Sequence, residues 1–270
     1  MRPQTESNFS IDFYQPQINC GNVQDMILGI DVGNTNIVVG GIQDRKLVFS
    51  ERAETSAENV PVLLSGLSAG TFDGTILSSV VPALNGTICE NVKKLFGTDV
   101  IIVNPKMNMN ITLPEHVHAE IGSDIIVGLV AAADEYDAPL AVIDMGTATT
   151  IFALDKNRVL TGGAIHPGIV IELNALSTRT AQLPEIMQVE IPEKFLGQNT
   201  DQCIKSGVVY GHAGMVDAIL SGMEKEMQTS LTVIATGGLG RFVAPICSHK
   251  VIYDESLLIK GLDYLYRNNS

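Results

Sequence analysis

Residues 30–36 read Ile-Asp-Val-Gly-Asn-Thr-Asn, and residues 143–149 read Ile-Asp-Met-Gly-Thr-Ala-Thr. Each phrase ends one apolar run and is followed by another. Gly33 and Gly146 let the backbone turn tightly and bring its N–H groups close to an anion, which a Cβ would obstruct. Asn34, Thr35, Asn36, Thr147 and Thr149 add short uncharged donors. Asp31 and Asp144, at the ends of their apolar runs, are hard oxygen ligands where a cation accompanying polyphosphate would sit. A single copy would read as an ordinary hairpin, because Asp, Gly and Asn are turn formers anyway. Two copies, about one domain length apart, predict a duplicated phosphate-binding hairpin facing a shared cleft. A third apolar run, 231–235, leads into Thr236-Gly237-Gly238-Leu239-Gly240, whose glycines would let a flat nucleobase or ribose lie on the backbone.

The composition limits what else the chain can be. Its 270 residues suffice for two domains, each of roughly 120 to 140 residues with its own core. The apolar fraction is 45%, and no apolar stretch reaches the roughly 18 residues of a membrane span. The formal charge of −13 argues against nucleic-acid or anionic-membrane surfaces, which draw on clustered Lys and Arg. Cys20, Cys89, Cys203 and Cys247 have no CxxC spacing, so reduced, cytoplasmic thiols are expected in place of a zinc site or a disulfide framework. Residues 1–25 are polar and lack the pattern of a secretory signal. With Met26 just before the first apolar run, they read as a disordered arm, an expression remnant or a mis-assigned start.

From Met26 the pattern predicts strands at 26–31, 36–43 and 46–52, a helix near 58–68, a strand at 75–80, a helix at 83–95 and a strand at 99–103. The second half repeats this plan: strands near 139–144, 148–155 and 158–163, helices near 168–178 and 201–227, a strand at 231–235 and a closing helix near 255–267. Between the halves, residues 121–136 read as a helix with Ile125, Ile126, Leu129, Val130 and Ala133 on one face. The expected fold is α/β, two ribonuclease-H-like domains of the actin-like ATPase kind with a cleft between them. The halves divide at 26–137 and 138–270.

At these residues the chain resembles type III pantothenate kinase, from Met26 to about Arg267. The matching phrases include Asp31-Val-Gly-Asn-Thr-Asn36, Ser78-Ser-Val-Val-Pro82, Glu120-Ile-Gly-Ser-Asp124, Asp144-Met-Gly-Thr-Ala-Thr-Thr150, Gly162-Gly-Ala-Ile-His-Pro-Gly168, Leu183-Pro184, Gly197-Gln-Asn-Thr200 and Ile234-Ala-Thr-Gly-Gly238. The resemblance implies phosphorylation of pantothenate by ATP, the first step of coenzyme A synthesis, in a homodimer that uses Mg²⁺ and a monovalent cation, K⁺ or NH₄⁺. It implies that Asp31, Val32, Gly33, Asn34, Thr35, Asn36, Ile37 and Val38 form the ATP phosphate loop and that Thr147 is a second ATP contact. Asp144 would hold the monovalent cation. Gly122, Ser123, Asp124 and Ile125 would border pantothenate with Thr200, and Asp124 would accept the proton of its primary hydroxyl. Phosphoryl transfer asks for little more than an in-line hydroxyl, a positioned carboxylate and cations.

Blander roles stand beside these. Asp124 at a helix start also suits an N-cap. His166 reads as a turn histidine bonded to backbone, Arg179 as an anion contact or a solvated side chain, and Met107 and Met109 as fillers of apolar gaps. The chain also departs from the family. Ile125 stands where the family has Arg directly after the catalytic Asp. Residues Asn104 to Met109 replace a Pro-Gly-x-x-Thr-Gly loop, and Leu113, Pro114 and Glu115 fall where a Tyr is usual. Losing one charge-assisted hydrogen bond costs roughly 1.5–3 kcal/mol, so these changes are expected to weaken substrate binding without removing catalysis. The alternative class is a regulatory paralogue that keeps the fold and nucleotide binding.

Overall fold

The computed structural model describes residues 26–67, 72–184, 186 and 188–270; the expectations for residues 1–25 lie outside them. The first apolar run forms β1 (Ile27–Val32) and the next two form β2 (Asn36–Gln43) and β3 (Lys46–Glu54), an antiparallel meander. After α1 (Asn59–Gly66) the chain enters β4 (Gly74–Ser79), parallel to β1. Helix α2 (Pro82–Phe96) leads to β5 (Val100–Ile102), parallel to β4. Pro82 opens α2, where a missing N–H costs nothing. Gly97 closes it at φ 75°, its N–H bonded to the Lys93 carbonyl.

The second half writes the same sheet again. Strands β6 (Leu140–Met145), β7 (Ala148–Leu154) and β8 (Leu160–Pro167) form the antiparallel meander. After α4 (Ile169–Arg179) and α5 (Thr200–Met227), β9 (Thr232–Thr236) runs parallel to β6. A short α6 (Gly240–Val243) precedes β10 (Val251–Tyr253), parallel to β9. The orders β3-β2-β1-β4-β5 and β8-β7-β6-β9-β10 are identical in sequence and sense. This is the duplicated ribonuclease-H-like plan of actin-like ATPases.

Packing divides each central strand into two faces. Leu28, Ile30 and Val32 join the core with Val60, Leu64, Ile88 and Val92 of α1 and α2, whereas Ile27 joins a different cluster. In β6, Ala141, Ile143 and Met145 pack with Leu173, Val208, Val216 and Leu220 of α4 and α5; Leu140 and Val142 face the other way. Helices α3 (Ser123–Glu135) and α7 (Leu257–Asn269) fill the space between the sheets, in one cluster with Ile27, Ile42 and Ile76 from the first and Leu140, Val142 and Leu154 from the second. The two helices approach closely, since a Cβ on Gly261 would lie 2.2 Å from the Val127 carbonyl oxygen.

Three features differ from the pattern read in the sequence. Strand β8 stays paired to β7 as far as Pro167, opposite Ala148, so His166 lies on a strand and not in a turn. Three-residue β10 is too short for a periodic signal. Helix α7 follows the second sheet in sequence yet packs on α3, β1, β2 and β4, long-range contacts that local periodicity does not record. Met107 and Met109 pack partly buried against the inter-sheet core, filling the gaps expected of them.

Candidate active site

A strand repeats its facing every second residue, so Asp31 shares the inner face of β1 with Ile27, and Asp144 shares that of β6 with Leu140 and Val142. Both acids therefore point into the space that α3 enters. In the parallel registers Asp31 stands beside Ser78 and Asp144 beside Thr236, equivalent places in the two sheets. Ser78 and Thr236 are buried, and Ser78 hydrogen-bonds the Asp31 carboxylate. Asp124 completes the group from the first turn of α3.

The α3 terminus is held by Ser123, which is buried and is shared with β4. Its Oγ lies 3.1 Å from Ser78 Oγ and accepts the Ser79 N–H at 2.8 Å. Ser123 thus positions α3, and its side chain is occupied within the protein. Gly122 is the cap residue of the helix, with extended backbone. Asp124 is not the N-cap; it sits inside the first turn, where its Oδ1 accepts the Ile125 N–H at 2.8 Å. That arrangement satisfies one orphan donor, and the Asp124 carboxylate lies near enough to raise the proton affinity of Asp31 and Asp144.

The electrostatics follow from crowding. Burial, with Asp124 nearby and the Ser78 hydrogen bond opposing, pushes the Asp31 carboxyl up to about 6. Burial, then Asp124 and Asp31, pushes Asp144 up to about 7. Asp124 is also raised by burial, against the pull of the Ile125 and its own N–H groups. Three carboxylates that repel one another in a poorly solvated space fit a hard cation with oxygen ligands.

The two hairpins meet at their tips, where Thr35 Oγ1 and Thr147 Oγ1 are 2.8 Å apart. Around the first hairpin, Gly33 donates to the Asn36 carbonyl at 2.9 Å and Thr55 Oγ1 donates to the Gly33 carbonyl at 2.7 Å. Asn34 and Thr35 are exposed and Asn36 and Val38 half-buried; Val32 and Ile37 are buried in the outer core and can offer a ligand only backbone. Behind the second hairpin, Gly168 donates to the Thr147 carbonyl at 3.0 Å. Gly237, at φ 87°, passes so near that a Cβ would lie 2.7 Å from Asp144 Oδ1 and 2.6 Å from the Met145 carbonyl oxygen.

Between Asp124 and Asp144 lies a cavity of about 10 Å³, walled by Ile125, Leu129, Val142, Phe152 and Leu258, with Thr150 and Thr236 as further polar lining. Ile125 packs partly buried against the apolar core between the sheets. Thr200 is the first residue of α5, whose N-cap Asn199 accepts the Gln202 N–H at 2.9 Å. It is exposed and is not among the residues lining this cavity. Arg179 is the last residue of α4 and is exposed. Ser78 and Thr236 stand inside matching phrases with nothing local to mark a role; what marks them is their register opposite the two acids.

This fold, with acidic hairpins facing each other across an inter-sheet cleft, is that of the actin-like ATPase class. The profile of the type III pantothenate kinase family matches residues 27–222. The chain is 39% identical over 254 residues to the type III pantothenate kinase of Listeria innocua, covering 90% of this chain and 98% of that one. It is 34% identical over 260 residues to that of Rubrobacter xylanophilus, covering 91% and 98%. Among solved structures it is similar to a conserved putative Baf family transcriptional activator from Campylobacter jejuni, with a TM-score of 0.58 and 20% identity over 89% of this chain and 97% of that one. It is also similar to the ethanolamine utilization protein EutJ from Carboxydothermus hydrogenoformans, with a TM-score of 0.56 and 14% identity over 90% of each. At those identities the structures speak to the fold alone. The chain belongs to the type III pantothenate kinase family.

Proposed function

We propose that this chain transfers the γ-phosphoryl group of ATP to the primary hydroxyl of pantothenate, giving 4'-phosphopantothenate, the first step of coenzyme A biosynthesis. The observation that carries this reading is the convergence of Asp31, Asp124 and Asp144 on one space between the sheets, bordered by two phosphate-type hairpins. Backbone N–H groups and short side chains of residues 31–38, with Thr147, hold the ATP phosphates. A phosphate chain seated between the hairpins replaces the Thr35–Thr147 hydrogen bond.

Asp124 accepts the proton of the attacking hydroxyl. Its raised proton affinity makes it a better base than an exposed aspartate. Gly122, Ser123, Ile125 and Thr200 border pantothenate, Ser123 through its hold on α3. The oxygen donors fit Mg²⁺ beside Asp31, and Asp144 fits a monovalent cation, K⁺ or NH₄⁺; such cations supply charge neutralisation for the transferring group. The working form is a cytoplasmic homodimer. In support, Cys89, Cys203 and Cys247 are free, and Ile165, Phe195 and Leu196 are exposed apolar side chains of the kind that interfaces cover.

A coupled assay of ATP consumption, with Mg²⁺ and K⁺, tests the reading. Consumption is expected to depend on pantothenate and to fall when Na⁺ replaces K⁺. Absence of pantothenate-dependent turnover at millimolar pantothenate removes the kinase assignment, and equal rates in K⁺ and Na⁺ remove the role given to Asp144.

A further inference from the structure

Behind the second hairpin, on the side of β7 that faces α4 and α5, three ligand-type side chains from separate elements converge. His166 comes from β8, Glu172 from α4 and His212 from α5. One ligand atom of each lies within 4.8 Å of the others. Glu172 Oε1 is 3.0 Å from His212 Nδ1 and 3.2 Å from His166 Nδ1. A tetrahedral zinc ion with bonds of about 2.0–2.1 Å holds its ligand atoms about 3.3 Å apart. Both separations are close to that spacing.

The outer contacts also suit a metal. The His212 side chain is fully buried, and its Nε2 lies 2.9 Å from Thr149 Oγ1, which turns Nδ1 toward Glu172. Metal-bound histidines are oriented in this way through the other ring nitrogen. His166 is 37% exposed and Glu172 22%, leaving a path from solvent and a fourth position for water. His166 Nδ1 also lies 2.9 Å from the Pro167 carbonyl oxygen, a contact that it would surrender. Two imidazoles and one carboxylate favour zinc and its first-row neighbours over Mg²⁺ or Ca²⁺, which prefer all-oxygen ligands.

We propose that His166, Glu172 and His212 form a three-ligand binding site for a zinc-class divalent ion, separate from the three-aspartate site. The ion joins β8, α4 and α5 beneath the hairpin that carries Thr147, to which the Thr149–His212 and Gly168–Thr147 bonds attach it. The other histidine cluster does not offer such a place. His249 donates to Asp217, which already accepts the Ser248 and His249 backbone N–H groups, so these groups are spent on holding the loop before β10.

The proposal stands apart from the kinase reading and is tested without turnover. The full chain, carrying Cys203→Ser to remove an exposed thiol, is stripped with a chelator and titrated with Zn²⁺ against a chromogenic competitor, with the melting temperature followed in parallel. One zinc per chain and a rise in melting temperature are expected. His166→Ala and Glu172→Gln should each weaken binding by more than about tenfold, since even outer-sphere partners act on that scale. His249→Ala should leave binding unchanged. Circular dichroism on each variant separates a lost ligand from a lost fold, and the exposed His166 position is the variant least exposed to that confusion. No stoichiometric zinc at micromolar concentrations overturns the site. So does zinc that survives both ligand variants, or that is lost in His249→Ala.

Discussion

Thr35 Oγ1 and Thr147 Oγ1 are hydrogen-bonded at 2.8 Å across the cleft, although 112 residues separate them. The contact joins the tips of the two acid-bearing hairpins, so a ligand seated between them displaces it. A neutral, exposed hydrogen bond contributes on the order of 1 kcal/mol or less. A ligand that offers several charge-assisted hydrogen bonds to both hairpins outweighs it.

Thr147→Ala is therefore expected to change global stability by less than about 1 kcal/mol while raising the KM for ATP several-fold. Chemical denaturation and steady-state kinetics measure the two effects separately. An unchanged ATP KM would leave the contact a closure device with no part in nucleotide binding.

Stability should respond to pH through the acids. Asp31 and Asp144 are raised to about 6 and about 7 from 3.8. The folded protein then retains protons that the unfolded chain releases, so the contribution of these groups is most favourable below the unfolded value and declines as pH rises from 3.8 toward 7. Asp217 and Asp254 are lowered and act in the opposite sense at acid pH, so the comparison needs a variant. Without cations, Asp144→Asn should match the parent near pH 4 and exceed it by several kcal/mol near pH 7.5, up to about 4 for a shift of about three units. A difference that does not vary with pH would place the cause elsewhere than in ionisation of Asp144.

Asp124→Asn should keep the fold and the affinity for ATP and lower turnover by roughly 10² to 10⁴, the usual contribution of a general base. Nucleotide titration and single-turnover kinetics on the same sample check both halves. Near-normal turnover would reduce Asp124 to its hydrogen bond with the Ile125 N–H.

Ile125→Arg examines the departure beside that base. The Ile125 side chain borders a cavity of about 10 Å³ together with Phe152, Leu129, Val142 and Leu258, too little room for a guanidinium. Overpacking of this kind costs roughly 1–3 kcal/mol, so the variant should melt several degrees lower; any gain in pantothenate KM would come from the charge reaching outward past Asp124. A variant as stable as the parent would mean that the position opens to the substrate side.

Much of this protein was legible in its local sequence. Two acid-glycine phrases at the ends of apolar runs marked the duplicated hairpins, and the strand period of two already implied that Asp31 and Asp144 share a facing with the alternate residues of their strands. What depended on tertiary structure was everything set by long-range register and packing. The stations of Ser78 opposite Asp31 and Thr236 opposite Asp144 come from strand pairing across intervening helices. The return of α7 to the first sheet comes from apolar surfaces on both sheets that need covering. His166 reads alone as a turn residue; only the pairing of β8 with β7 and the crossing of α4 and α5 bring Glu172 and His212 to its side. Periodicity records which face a residue occupies within its own element, whereas a site assembled from several elements exists only once their packing has chosen which faces meet.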